Sequence, residues 1–321
     1  FINFKIQELL SNFLLNIDSI GKEVMNSARI LYFFGGMGEG RWLPIICGTA
    51  ITALLFALTW CILSKSFIKI ATSSGVASRA KYKYTASVQS SISKAILKKE
   101  FKRFTSSPSY MLNCGFGVIF LIAIGILLLV ESRNITDFMQ SAFKPIAAYG
   151  PVFIGAVMCA IIGMNAIAVP SVSLEGKTIW LSHALPIAPM QVLKAKVLVA
   201  VLVNGISALF CSVCMIITFR QNILTAVAAS AAVLAFTVMS ALFDMFIGLK
   251  MPNLSWTSEI VAVKQNTGVL LAMLLGSVYA VLLGLGCYLL RNTITVMPYL
   301  LVVIALTIGI SYLLYGWISR K

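Results

Sequence analysis

Long apolar runs broken by short polar stretches dominate this chain. Runs of about 20 apolar residues, the length a helix needs to cross a hydrocarbon core, predict membrane spans at 43–63, 110–130, 149–170, 197–218, 224–248, 268–290 and 298–318. The connections between the last five are short and polar. Turn formers such as Met251-Pro252-Asn253 and Val296-Met297-Pro298 mark where helices stop and start. Two of the intervening segments carry a pattern of their own. Over 89–105, Ile92, Ile96, Leu97, Phe101 and Phe104 fall mostly on one side of a helix, with Lys94, Lys98, Lys99 and Lys102 on the other. That pattern predicts a basic amphipathic helix lying in the membrane interface, a solvated charge run being the plainer alternative. Over 174–186 the spacing places Leu174, Trp180, Leu181, Ala184 and Leu185 on one face of a short helix. Glu175, Thr178, Ser182 and His183 lie opposite, and Pro186 closes it. The segment 1–41 is moderately amphipathic over 6–30 and ends in a glycine-rich turn (Gly35, Gly36, Gly38, Gly40). It is expected to lie at, or dip into, the outer leaflet.

Composition removes the soluble alternatives. Of 321 residues, 60% are hydrophobic and only 11% charged, against about 25% charged in a soluble domain. A water-facing shell cannot be assembled from so few charges. The formal net charge of +15 would suggest nucleic acid in a soluble protein; in a membrane protein it points to basic loops facing anionic lipid, and no nucleic-acid partner is expected. The loops set the orientation. With the segment after the first span placed inside, 17 of the 25 basic residues are inside and 8 outside, so the C-terminus is expected in the cytoplasm.

Several motifs tempt and fail. Gly176-Lys177-Thr178 resembles the end of a phosphate-binding loop, but Ser171 stands where the pattern needs a glycine, and an apolar helix leads in where a strand should. Cys211 and Cys214 have C-x-x-C spacing inside an apolar run and read as packing residues. His183 is the chain's one histidine, so no multi-histidine zinc site and no Ser-His-Asp arrangement is expected. The chain is therefore expected not to be an enzyme and to carry no cofactor or metal. Within the spans, Asp244 is the one acid, placed near the inner end of its run, and Asn165 and Asn204 are the clearest buried amides. These three are the candidates for a transport pathway. Gly155, Cys159 and Gly163, and Gly276, Ala280 and Gly284, repeat at helix-packing spacing, which fits either packing within one subunit or a dimer seam.

In order from Gln89, the chain reads as an interfacial helix, two spans, a short inner helix and four more spans. This resembles the six-span unit of ABC-2-type exporter permeases, the membrane subunits of ATP-binding-cassette transporters. Lys99-Glu100-Phe101 before Ser107-Pro108-Ser109-Tyr110 is similar to that family's basic lead-in. Leu174-Glu175-Gly176-Lys177, Trp180-Leu181 and Leu185-Pro186-Ile187, then Lys194-Ala195-Lys196, resemble the E-G-K…W-L…L-P…A-K stretch of a large group of ABC exporters. Pro252-Asn253-Leu254-Ser255-Trp256, Glu259 and Val263-Lys264-Gln265-Asn266 resemble that group's second inner segment.

The resemblance implies an all-α integral membrane protein, a six-span ABC-2 exporter-type bundle preceded by one extra span. Its parts are an outside or interfacial segment (1–41), a span (42–64) that is the tail of a first unit beginning before residue 1, a basic linker with its interfacial helix (65–109), and the permease unit (110–321). It implies a coupling helix near 174–186, with Glu175, Gly176, Lys177, Trp180, Leu181, Leu185 and Pro186 engaging a separate ATPase subunit that carries the ATP and Mg²⁺. The expected partners are that ATPase, membrane lipid, and either the missing first unit or a second copy. The expected location is a bacterial cell membrane. Two other classes compete: a secondary transporter, which needs ionisable groups or broken helices within the membrane, and a membrane enzyme, which needs convergent His, Asp or Glu. A lone peripheral Asp244 and a lone His183 weigh against them.

Overall fold

The computed structural model describes residues 33–72, 91–142, 149–264, 266–290 and 293–320, except the side chains at 68–72, 138–142, 177 and 181–183. The expected outer-leaflet helices of 1–32 and most of the 65–90 linker lie outside the described residues. The described residues are all-α, and seven helices among them are long and apolar enough to cross a membrane. The chain divides into two units, 1–87 and 88–321.

In the first unit, a glycine-rich turn leads into α1 (Trp42–Thr72). Over the stretch of α1 apolar enough to span a membrane, almost every side chain is exposed, Leu54, Phe56, Trp60 and Leu63 among them. A helix apolar all round is buried in lipid or protein.

The second unit holds eleven helices among the described residues. The amphipathic segment expected over 89–105 forms a helix, α2 (Ile92–Ser106), and Ser107 then caps α3 (Pro108–Val130) by accepting the Tyr110 N–H at 3.3 Å. After α4 (Ser132–Ala142) comes a helix in two pieces, α5 (Gly150–Met164) and α6 (Ala168–Ser173). The elbow follows, a 3₁₀ turn (Gly176–Thr178) and α7 (Ile179–Ala184). Then come α8 (Pro189–Thr218), α9 (Ile223–Lys250), a second two-piece helix, α10 (Glu259–Lys264) and α11 (Thr267–Leu290), and finally α12 (Val296–Ser319).

Helix α9 is the hub, packed by α5, α6, α8 and α12, while α8 also packs on α3 and α2. The main core gathers Met158, Ile162, Met215, Val233, Phe236 and Leu300, all fully buried. Cys159, Cys211, Cys214 and Cys287 belong to the same core and are unpaired. The two small-residue stripes meet at Gly163 and Gly276, where a Cβ on Gly163 would stand 2.6 Å from the Gly276 Cα; one on Gly284 would touch Ala156 at 3.4 Å, whereas Gly155 faces Val233 and Ala229 of α9. The stripes therefore pack α5 against α11 within the subunit. Because the Gly163 obstacle is backbone, Gly163→Leu should destabilise the bundle by about 1–3 kcal/mol. Gly309→Ala, in open space, should leave the thermal midpoint in detergent unchanged.

One expected continuous span is discontinuous. The 149–170 run breaks at Asn165–Ile167 because Pro170 has no N–H to give the Ala166 carbonyl, and its ring crowds that carbonyl. The break is satisfied by side chains, with the Tyr110 hydroxyl donating to the Ile167 carbonyl at 2.6 Å. The expected 268–290 span forms unbroken as α11, and Asn266 ahead of it accepts the Gly268 N–H through Oδ1 at 2.9 Å and so caps the helix.

Candidate functional site

Charge collects where α2, α8 and the elbow meet. On α2 the buried stripe is Ile96, Glu100 and Phe104, so Glu100 sits in line with the apolar anchors. On α8 the buried stripe runs Lys196, Val199, Ala200, Asn204 and Ser207, which turns Lys196 inward. The two meet: Lys196 Nζ lies 2.9 Å from Glu100 Oε2 and 3.1 Å from Glu175 Oε1, with its side chain 1% exposed. It also donates to the Ser171 carbonyl at 2.9 Å. Lys99 lies 3.3 Å from Glu100 and 3.6 Å from Glu175, and Arg103 lies 3.7 Å from Glu175. Arg103 also donates to the Leu174 carbonyl. Three cations thus enclose two buried carboxylates and tie α2, α6, α8 and the root of the elbow together.

Burial alone would push the Glu100 carboxyl up; Lys196, with Lys99 and Arg103 behind it, outweighs that and holds it below the usual carboxylate range. A lowered folded value means the cluster's contribution is full above about pH 4.3 and drains away as pH falls through the folded value. Thermal stability in detergent should therefore drop more steeply below that pH than in Glu100→Gln, and the two should respond alike at neutral pH.

A second set of bonds fixes the elbow from its other side. Ser173 Oγ accepts the Asn253 N–H at 3.0 Å and Asn266 Nδ2 at 3.2 Å, while its carbonyl accepts Trp256 Nε1 at 2.6 Å. A Cβ on Gly176 would stand 2.9 Å from that indole nitrogen and 3.0 Å from the Leu254 carbonyl, so only glycine fits there. Ser107 Oγ donates to Glu259 at 2.6 Å, joining the start of α3 to α10. The two inner segments singled out in the sequence therefore pack on one another.

The expected single apolar face of 174–186 does not form. Leu174 is buried, whereas Trp180 is 65% exposed, because the 3₁₀ turn at Gly176–Thr178 advances the chain by about 3.0 residues per turn instead of 3.6 and breaks the register. Glu175 and Gly176 face inward, and Trp180, Leu185 and Pro186 are exposed. The side chains of Lys177, Leu181 and His183 lie outside the described residues.

Of the pathway candidates, Asn165 and Asn204 come together: Asn165 Nδ2 donates to Asn204 Oδ1 at 2.7 Å, and Asn165 Oδ1 accepts the Gly117 N–H at 3.0 Å. Asp244 lies six residues before the end of α9. It is 4% exposed, on the helix that packs against α6 just after the break. Sequence reasoning missed Glu100 and Lys196 as a pair. The available signal was their phase with the apolar stripes, since each falls four residues from a core position (Ile96, Ala200).

No family model matches this chain, and neither the curated proteins nor the solved structures contain a match to it.

Proposed function

We propose that the chain is the membrane-spanning subunit of an exporter driven by a separate ATPase, with the elbow Gly176–Pro186 as the element the ATPase moves. The observation that carries this is the contrast along the elbow. Its tip leaves Trp180 and Leu185 uncovered by the rest of the chain, while its root is locked to α2 and α8 through Glu175 and Lys196. An exposed tryptophan on a rigid root suits docking, where burial of such a side chain is worth roughly 1.5–3 kcal/mol. A push on the tip would pass through the ion cluster into α8 and α2, and through Ser173 into α11. The 17-to-8 basic split supports placing this face in the cytoplasm of a cell membrane. The test is isolation of the tagged chain from its native membrane in mild detergent. A co-purifying ATPase subunit supports the proposal, and repeated isolation of the chain without one overturns it.

A second reading draws on the discontinuous helix α5–α6 and the buried Asp244, features of carriers that couple to ion gradients. Proteoliposomes containing this chain alone separate the two: accumulation driven by an imposed ion gradient without ATP would favour the carrier.

A further inference from the structure

We propose that the cleft beside Asp244 is a binding site for a lipophilic organic cation. A cleft of about 240 Å³ lies between α5, α9, α11 and α12. Its inner wall is aromatic, with the rings of Phe236 and Tyr279 stacked at 4.3 Å between centroids. The Tyr279 hydroxyl is already occupied by Thr307 Oγ1 at 2.9 Å. Asp244 and Ser240 supply the carboxylate and the aliphatic hydroxyl of the wall.

Asp244 is buried, and among the described residues no basic side chain pairs with it. A buried acid in a membrane protein stays protonated unless a cation joins it, and the wall says which kind of cation fits. A lone carboxylate in an otherwise apolar, aromatic-lined cleft favours an organic ammonium on an apolar body, held by charge at Asp244 and by apolar contact along Phe236 and Tyr279, whose rings stack on one another. An inorganic divalent ion is disfavoured because it takes six or more oxygens, and no cluster of three or more ligating side chains exists among the described residues.

The shape of the cleft fits an amphiphile. Asp244 lies six residues before the end of α9, whereas Leu282 lies ten residues further along α11 than Ala272, roughly 15 Å deeper. The rim residues Leu282 and Ile310 are exposed on the surface that α11 and α12 turn outward. A ligand can therefore enter sideways from the bilayer, its cationic head at Asp244 and its apolar part along Tyr279. The site does not depend on the ATPase proposal, and its test needs no ATPase.

The probe is radiolabelled benzyltrimethylammonium, permanently charged, with neopentylbenzene as its uncharged isostere, on purified full chain in zwitterionic nanodiscs. Saturable binding is expected, with neopentylbenzene failing to compete and Asp244→Asn weakening it at least about tenfold. Asparagine is close to isosteric with aspartate, and an unchanged thermal midpoint certifies the fold. Should Asp244→Asn not fold, Leu282→Trp at the exposed rim takes its place, with a loss of binding expected from a blocked entrance. Absence of saturable binding, equal binding by the variant that folds, or equal competition by neopentylbenzene would each overturn the proposal.

Discussion

Lys196→Met should be the most damaging single substitution in the inner half of the bundle, costing about 3–5 kcal/mol. The lysine side chain is 1% exposed between two carboxylates, so removing it leaves Glu100 and Glu175 buried with their closest counter-ion gone. Lys99 and Arg103 stand farther off, at 3.3–3.7 Å, and are themselves partly exposed. Glu100 Oε1 and Glu175 Oε1 already make no directional hydrogen bond among the described residues. Thermal unfolding and expression in detergent should show the loss at neutral pH. Removing the charges together, as Glu100→Leu, Glu175→Gln and Lys196→Met, should recover most of the stability, because isolated buried charge is the cost and not the lack of a pair. Failure of the single variant to destabilise would mean that water reaches the cluster.

The second large effect is expected at the elbow tip. Trp180→Ala combined with Leu185→Ala should leave the fold intact, since both side chains are exposed. The loss of apolar contact at roughly 1.5–3 kcal/mol per residue should lower ATPase association by at least about tenfold, and transport with it. Glu175→Ala, by contrast, belongs with Lys196→Met: its carboxylate is inside the cluster and its loss should be read in stability first. An assay that found Glu175→Ala stable but uncoupled, and Trp180→Ala silent, would reverse these roles.

What the chain disclosed before folding was what depends on local pattern. Twenty-residue apolar runs need no knowledge of neighbours, so the seven spans were legible, and α2 was legible from its alternation of lysines with Ile96 and Phe104. The charge cluster was not, because Glu100 and Lys196 are 96 residues apart and each looks like an ordinary interfacial charge until its stripe is followed. The early start of α8 follows from Pro189, which takes the first helical position, where its missing N–H costs nothing; hydropathy alone began the span at 197. The break at Asn165–Ile167 was announced by Pro170, but hydropathy alone carried the span through it. Asp244 was placed by its distance from the end of its run, which says nothing about what packs against its helix. The small-residue stripes were visible as contact surfaces, yet only the fold could pair Gly163 with Gly276.

The central claim, that the elbow tip is where a separate ATPase takes hold, is tested most directly by a photo-crosslinking amino acid in place of Trp180, activated in native membranes. Crosslinks to an ATPase subunit, increasing when nucleotide closes that subunit, are the predicted result. Crosslinks only to lipid or to this chain's own helices, in membranes where the protein is folded and active, would contradict it.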